Sequence, residues 1–142
     1  MKKQSIFGVL LLALFFFGCR KKNSNQSGAP STYVDFVINI SNPSYSNLNV
    51  TGGWIYYPDG VKGIIIFRKS VSEFMAYERN CTYQPSNGCA VQVQLSGVTA
   101  IDSCCGSKFL LSDGSVYAGP ATLQLTRYQT TFDGASSVHV FN

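Results

Sequence analysis

From Tyr33 onward, apolar residues recur at every second position. Val34, Phe36, Ile38 and Ile40 alternate with Asp35, Asn39 and Ser41, as expected of a strand with one face in a core and one in water. Further short runs rich in β-branched and aromatic residues follow at 54–57, 64–67, 74–77, 90–93, 108–111, 123–125, 128–132 and 138–141. Pro58-Asp59-Gly60, Asp113-Gly114 and Asp133-Gly134 fall between runs and supply the residues that hairpin turns need. No stretch keeps a helical apolar period beyond one or two turns, and 69–74 is the best candidate for a short helix. Many short strands separated by turn signals predict an all-β domain, an antiparallel sandwich or barrel. Eight Tyr and ten Phe suit that architecture as core and cross-strand packing.

Ahead of this domain stands a leader. Lys2 and Lys3 precede an apolar stretch from Ile6 to Phe17 that is too short to span a bilayer of about 30 Å as a permanent helix. It ends at Phe16-Phe17-Gly18-Cys19, which resembles the bacterial lipobox although Phe16 replaces the usual Leu. The resemblance implies that 1–18 are a signal peptide and that Cys19 is acylated by palmitate-type chains. The protein would then be exported and bound to a membrane through lipid rather than through a spanning helix. An uncleaved apolar anchor would give the same attachment. Residues 19–32, which include Arg20, Lys21, Lys22 and the polar NSNQSGAPST, read as a flexible tether, and 33–142 as one domain. Arg20 after Cys19 resembles sorting signals that do not retain a lipoprotein at the inner membrane. The expected location is therefore the cell envelope, on the outer membrane and facing the periplasm.

Five of the eleven basic residues lie in the leader and at the start of the tether. From Asn23 onward there are six basic and seven acidic residues, a net of −1. A near-neutral domain lacks the electrostatic footprint of a nucleic-acid binder. Catalytic residues are also missing. His139 is the sole histidine and sits in a strand-like Val-His-Val, so a hydrolytic triad has no other base to draw on. Gly52-Gly53 and the glycines around Lys62 do not form a phosphate loop and read as turns. The acidic residues are scattered, with Glu73 and Glu78 expected to be solvated. The chain is not expected to be an enzyme.

Four cysteines, Cys81, Cys89, Cys104 and Cys105, fall within one quarter of the domain. An even count in an exported chain suggests disulfides. A bridge between adjacent Cys104 and Cys105 would strain the backbone, so each is expected to pair outward, to Cys81 and Cys89 in either order. Four thiolates could instead bind zinc or a cluster, but the Cys104-Cys105 adjacency lacks the spacing that offers two sulfurs to one ion. A thiol–disulfide exchange role lacks a Cys-x-x-Cys and a neighbouring base.

The stretch 76–83 (AYERNCTY), Gly88-Cys89, Cys104-Cys105-Gly106-Ser107-Lys108-Phe109, Leu111-Ser112-Asp113-Gly114 and Gly119-Pro120-Ala121, with Leu125 and Tyr128, resembles a Rieske iron–sulfur domain over about half of the folded region. The resemblance implies an antiparallel β base with a smaller subdomain, roughly 76–121, bearing two loops. In that family a Cys-x-His loop and a Cys-x-x-His loop hold a 2Fe-2S cluster, with both His on one iron. The matching positions here are Cys81, Tyr83, Asp102 and Cys105, so the ligand set is degenerate and no cofactor is expected. Family members often join their two loops by a disulfide, at positions matching Cys89 and Cys104. That leaves Cys81 and Cys105 at former ligand positions, where a second disulfide is expected. The function expected on this basis is a structural or binding role in the envelope. Electron transfer by a 2Fe-2S cluster on atypical ligands is the alternative.

Overall fold

The computed structural model describes residues 32–142. The leader, Cys19 and all of the tether except Thr32 lie outside the described residues. Ten strands form, β1 (Asp35–Asn39), β2 (Trp54–Tyr57), β3 (Ile64–Arg68), β4 (Phe74–Glu78), β5 (Gln92–Val93), β6 (Thr99–Ile101), β7 (Lys108–Leu110), β8 (Val116–Ala118), β9 (Arg127–Phe132) and β10 (Ser137–Phe141). Six make one antiparallel sheet in the order β1-β10-β9-β4-β3-β2, and four make a second in the order β5-β6-β7-β8. The architecture is all-β and antiparallel, as the strand pattern predicts. No helix among the described residues is long and apolar enough to cross a membrane.

The six-stranded sheet curls so that its two edges meet. β1 and β2 are at opposite ends of the strand order, yet the rings of Phe36 and Tyr57 stack with centroids 3.9 Å apart. Inside this curl lies one core, built on Ile38, Leu48, Ile64, Ile66, Phe74 and Val140. A second core lies where the outer face of β3 and β4 meets the small sheet. It joins Ile65, Phe67, Met75 and Tyr77 to Val91, Phe109, Leu111 and Leu125. β3 and β4 are therefore buried on both faces, and their sequences IIIFR and FMAYE show no polar alternation. β10, with one face in the core, keeps the period of two. The Tyr77 hydroxyl donates to the Leu111 carbonyl at 3.2 Å, a polar tie across the second core.

Several expectations are corrected. Residues 69–74 form no helix; they make the bend of the β3–β4 hairpin, in which the backbone N–H groups of Lys69 and Ser70 both donate to the Glu73 carbonyl. Residues 123–125 are not a strand. β6 and β8, and the kinked 3₁₀ segment Pro43–Asn49, carry too few residues to show a period. Glu78 is fully buried rather than solvated. Its carboxyl oxygens accept from the backbone N–H groups of Val61, Lys62 and Asn80 at 2.7, 2.9 and 2.9 Å, and from the Tyr128 hydroxyl at 2.9 Å. A carboxyl group with four donors replaces the water that burial removes.

Candidate functional site

Three loops meet at one end of the small sheet. The first, after β4, is pinned by a bridge between Asn80 and Ala90 and by the Cys81 N–H to the Cys89 carbonyl. Between them the chain turns through Pro85–Asn87, entered from Gln84 at φ 50°. The second loop joins β6 to β7. Asp102 and Ser107 close it through backbone bonds, and the Asp102 carboxylate accepts from the Cys104 N–H at 2.8 Å. The third loop follows β8. Gly119 lies at φ +95° against the Ser107 backbone, where an added Cβ would come within 2.5 Å of Ser107 Cα. Only glycine permits that approach. It brings the Ala121 N–H onto the Ser107 hydroxyl at 3.0 Å, and the Thr82 hydroxyl ties the first loop to the third through the Leu123 carbonyl.

Cys89 and Cys104 form a disulfide that joins the first loop to the second across a separation of 15 residues. Cys81 and Cys105 meet beneath it but stay unbonded, so the expected second bridge is corrected. Their Sγ atoms are 3.9 Å apart, nearly twice a disulfide bond length of about 2.05 Å. The reason is local, because polar partners hold Cys105 Sγ in place. It lies 3.2 Å from an Asp102 carboxylate oxygen and 3.0 Å from the Ser107 hydroxyl. Cys81, Asp102 and Cys105 each offer a ligand atom, all within 4.8 Å of one another. Cys81 and Asp102 are each 1% exposed. A cavity of about 270 Å³ opens from this cluster to solvent, with Tyr83, Asp102, Cys105 and Pro120 on its wall.

Burial pushes the Cys81 thiol far up, and the neighbouring Asp102 carboxylate adds to the shift, so Cys81 is a neutral thiol at ordinary pH. Burial alone would raise Asp102 as well. The hydrogen bonds it accepts from Cys81, from the Cys104 backbone and from Cys105 outweigh that and hold it below the usual carboxylate range.

Cys81, Tyr83, Asp102 and Cys105, the positions singled out from the sequence, thus gather at one place, with Tyr83 beside the other three on the cavity wall. His139 does not join them. It lies on β10, where Nε2 hydrogen-bonds Asp35 at 2.6 Å and the ring stacks on Phe141. Sequence reasoning quoted Ser107 within a motif but missed its role as the hydroxyl that serves Cys105 and Ala121 together.

No protein-family model matches the sequence, and no curated protein matches it. Among solved structures, the chain is similar to the cyanobacterial plasma membrane Rieske protein PetC3 from Synechocystis PCC 6803. The TM-score is 0.54 at 20% identity, over 78% of this chain and 99% of that one. The fold is Rieske-like.

A Rieske cluster is held by two cysteines and two histidines, and the residues present do not supply that set. Two imidazoles are required, and the one histidine of the chain is engaged on β10. The sulfurs tell the same story. Cys81 and Cys105 match positions that ligate different irons, and two sulfurs on different irons stand further apart than two on one ion. A tetrahedral ion with metal–sulfur bonds of about 2.3 Å spaces its sulfurs about 3.8 Å apart. The observed 3.9 Å is a contact between two unbonded thiols, close to that single-ion spacing.

Proposed function

We propose that the chain is a lipid-anchored envelope protein whose Rieske-like domain has lost its iron–sulfur cluster and serves a structural or binding role rather than catalysis. The observation that carries this reading is the ligand set Cys81, Tyr83, Asp102 and Cys105, in a chain with a single, distant histidine partnered by Asp35. The Cys89–Cys104 disulfide holds the two loops together under this reading, as the matching bridge does in cluster-bearing members of the resembled family. Attachment rests on the leader and Cys19, with the lipid as the membrane partner and the outer membrane, facing the periplasm, as the location.

Electron transfer on atypical ligands is favoured only by the likeness of fold. The test is to purify the full-length protein anaerobically from membranes and measure iron, acid-labile sulfide, the visible spectrum and electron paramagnetic resonance after reduction. The expected result is a colourless protein without stoichiometric iron. Visible absorbance between about 400 and 500 nm together with a resonance signal would overturn the reading and make redox work its job.

A further inference from the structure

We infer that the vacated cluster pocket is a site for a single thiophilic divalent cation of the zinc class, held by Cys81 Sγ, Cys105 Sγ and the Asp102 carboxylate with the fourth position open to the cavity. This rests on the loss of the two-iron cluster and says what the same pocket accepts instead.

Three observations carry it. The sulfur spacing of 3.9 Å, a contact between two unbonded thiols, leaves the pair already close to the edge of a tetrahedron around one ion with bonds of about 2.3 Å. The Asp102 oxygen stands 3.2 Å from Cys105 Sγ, and all three ligand atoms lie within 4.8 Å of one another, so one ion placed among them faces all three. The site is also open at one side, since the cavity bordered by Tyr83 and Pro120 connects Cys105 to solvent. That opening is both an entry path and room for a fourth, exchangeable ligand.

The chemistry of the donors selects the ion. Two thiolates and one carboxylate favour zinc over magnesium or calcium, which want oxygen throughout. Binding replaces the two thiol protons, which leave to solvent as Zn²⁺ enters, and the uncompensated carboxylate supplies the third negative charge. Supporting contacts are already in place. The Cys104 N–H holds the other Asp102 oxygen at 2.8 Å, and the Ser107 hydroxyl lies 3.0 Å from Cys105 Sγ, which fixes two of the three ligands from behind. The second grouping, Cys89, Asp102 and Cys104, is not a competing site because its two sulfurs are joined to each other.

Cobalt(II) is the probe, because its thiolate complexes absorb and zinc displaces it. Full-length protein, isolated anaerobically in detergent without added thiols, is first stripped with a chelator and then titrated with Co²⁺. The expected result is one Co²⁺ per chain with a thiolate-to-cobalt charge-transfer band in the near ultraviolet, abolished by one equivalent of Zn²⁺. Cys105→Ser, a near-isosteric change at a half-buried site, should remove most of the band while far-ultraviolet circular dichroism stays unchanged. Asp102→Asn should keep the band and weaken binding by about ten- to a hundredfold. A colourless protein that develops no band, or whose Cys81 and Cys105 prove disulfide-linked by non-reducing peptide mapping, overturns this inference and leaves the loss of the cluster standing. A protein that emerges with iron, sulfide and visible absorbance overturns both.

Discussion

The curled six-stranded sheet and the loop-bearing end of the small sheet are neighbours built on opposite principles. The base is held by apolar side chains from strands of four to six residues, with Ile64, Ile66 and Val140 fully buried. In the loop end, strands of two or three residues supply little ladder, and the loops are held by a disulfide, a carboxylate, a hydroxyl and one glycine that allows backbone to meet backbone. Apolar burial is non-directional and tolerates repacking. Polar and covalent links at the tip have set geometry, and they gather around Cys81, Asp102 and Cys105. What this contrast teaches is that the base is specified by volume and the tip by directed bonds.

The contrast has one exception in the base, and it gives the largest expected effect of a single substitution. Glu78 is a polar node inside the apolar half, serving three backbone N–H groups and the Tyr128 hydroxyl. Glu78→Ala leaves the buried Asn80 N–H and Tyr128 hydroxyl without a partner and the half-buried Val61 and Lys62 N–H groups to water, and a loss of about 3 kcal/mol of global stability is expected from urea unfolding. Glu78→Gln keeps shape and one good acceptor and should lose roughly half as much. Equal stability of Glu78→Ala and wild type would mean that the node is replaceable by water and the base is wholly apolar in its energetics.

The tip is probed by its covalent link. The double variant Cys89→Ala/Cys104→Ala removes closure of a 15-residue loop and should cost about 3 kcal/mol, read by the same unfolding experiment. Because the disulfide spans only the two loops, hydrogen exchange should rise in residues 79–91 and 102–107 while β1, β9 and β10 keep their protection. Protection lost evenly across both sheets would dissolve the contrast.

The same contrast explains what the sequence made legible. β1, β9 and β10 alternate over five or six residues, because one face meets a core and the other meets solvent. β3 and β4 were visible as apolar runs bounded by turns, but their burial on two sides was not, since that depends on the small sheet coming to lie over them. Lys69 and Glu73 are spaced like a helical ion pair, and they do pair at 2.9 Å, but across a hairpin bend that brings positions four apart together equally well. Nothing local marks Glu78 as buried, because its partners come from 16, 17 and 50 residues away as well as from Asn80. At the tip, the motif residues located the site and the order of its loops. Whether Cys81 and Cys105 bond or merely touch depends on Asp102 and Ser107 holding the sulfur at ångström scale, which spacing along the chain does not encode.

Acid gives the smallest effect, and it compares the halves directly because each contains an aspartate held below its ordinary pKa. In the base, Asp133 accepts from backbone N–H groups of the β9–β10 turn and is pulled down to about 2. At the tip, Asp102 is lowered by its thiol and backbone donors despite burial. An unfolded aspartate titrates near 3.9. Above about pH 5 both states are ionised, and the contribution of each to stability is fully present. As pH falls below that value the unfolded chain takes up protons first, so stability declines until the folded carboxyl is protonated too. Unfolding midpoints measured from pH 5 to pH 2 should therefore drop in wild type, and drop less steeply in Asp133→Asn and in Asp102→Asn. The two variants should differ in place. Near the acid end, Asp133→Asn should alter exchange in the β9–β10 turn, and Asp102→Asn should alter it around Cys104 and Gly106. An acid profile unchanged by Asp102→Asn would mean that its hydrogen bonds only offset its burial, leaving the tip to its disulfide and its glycine.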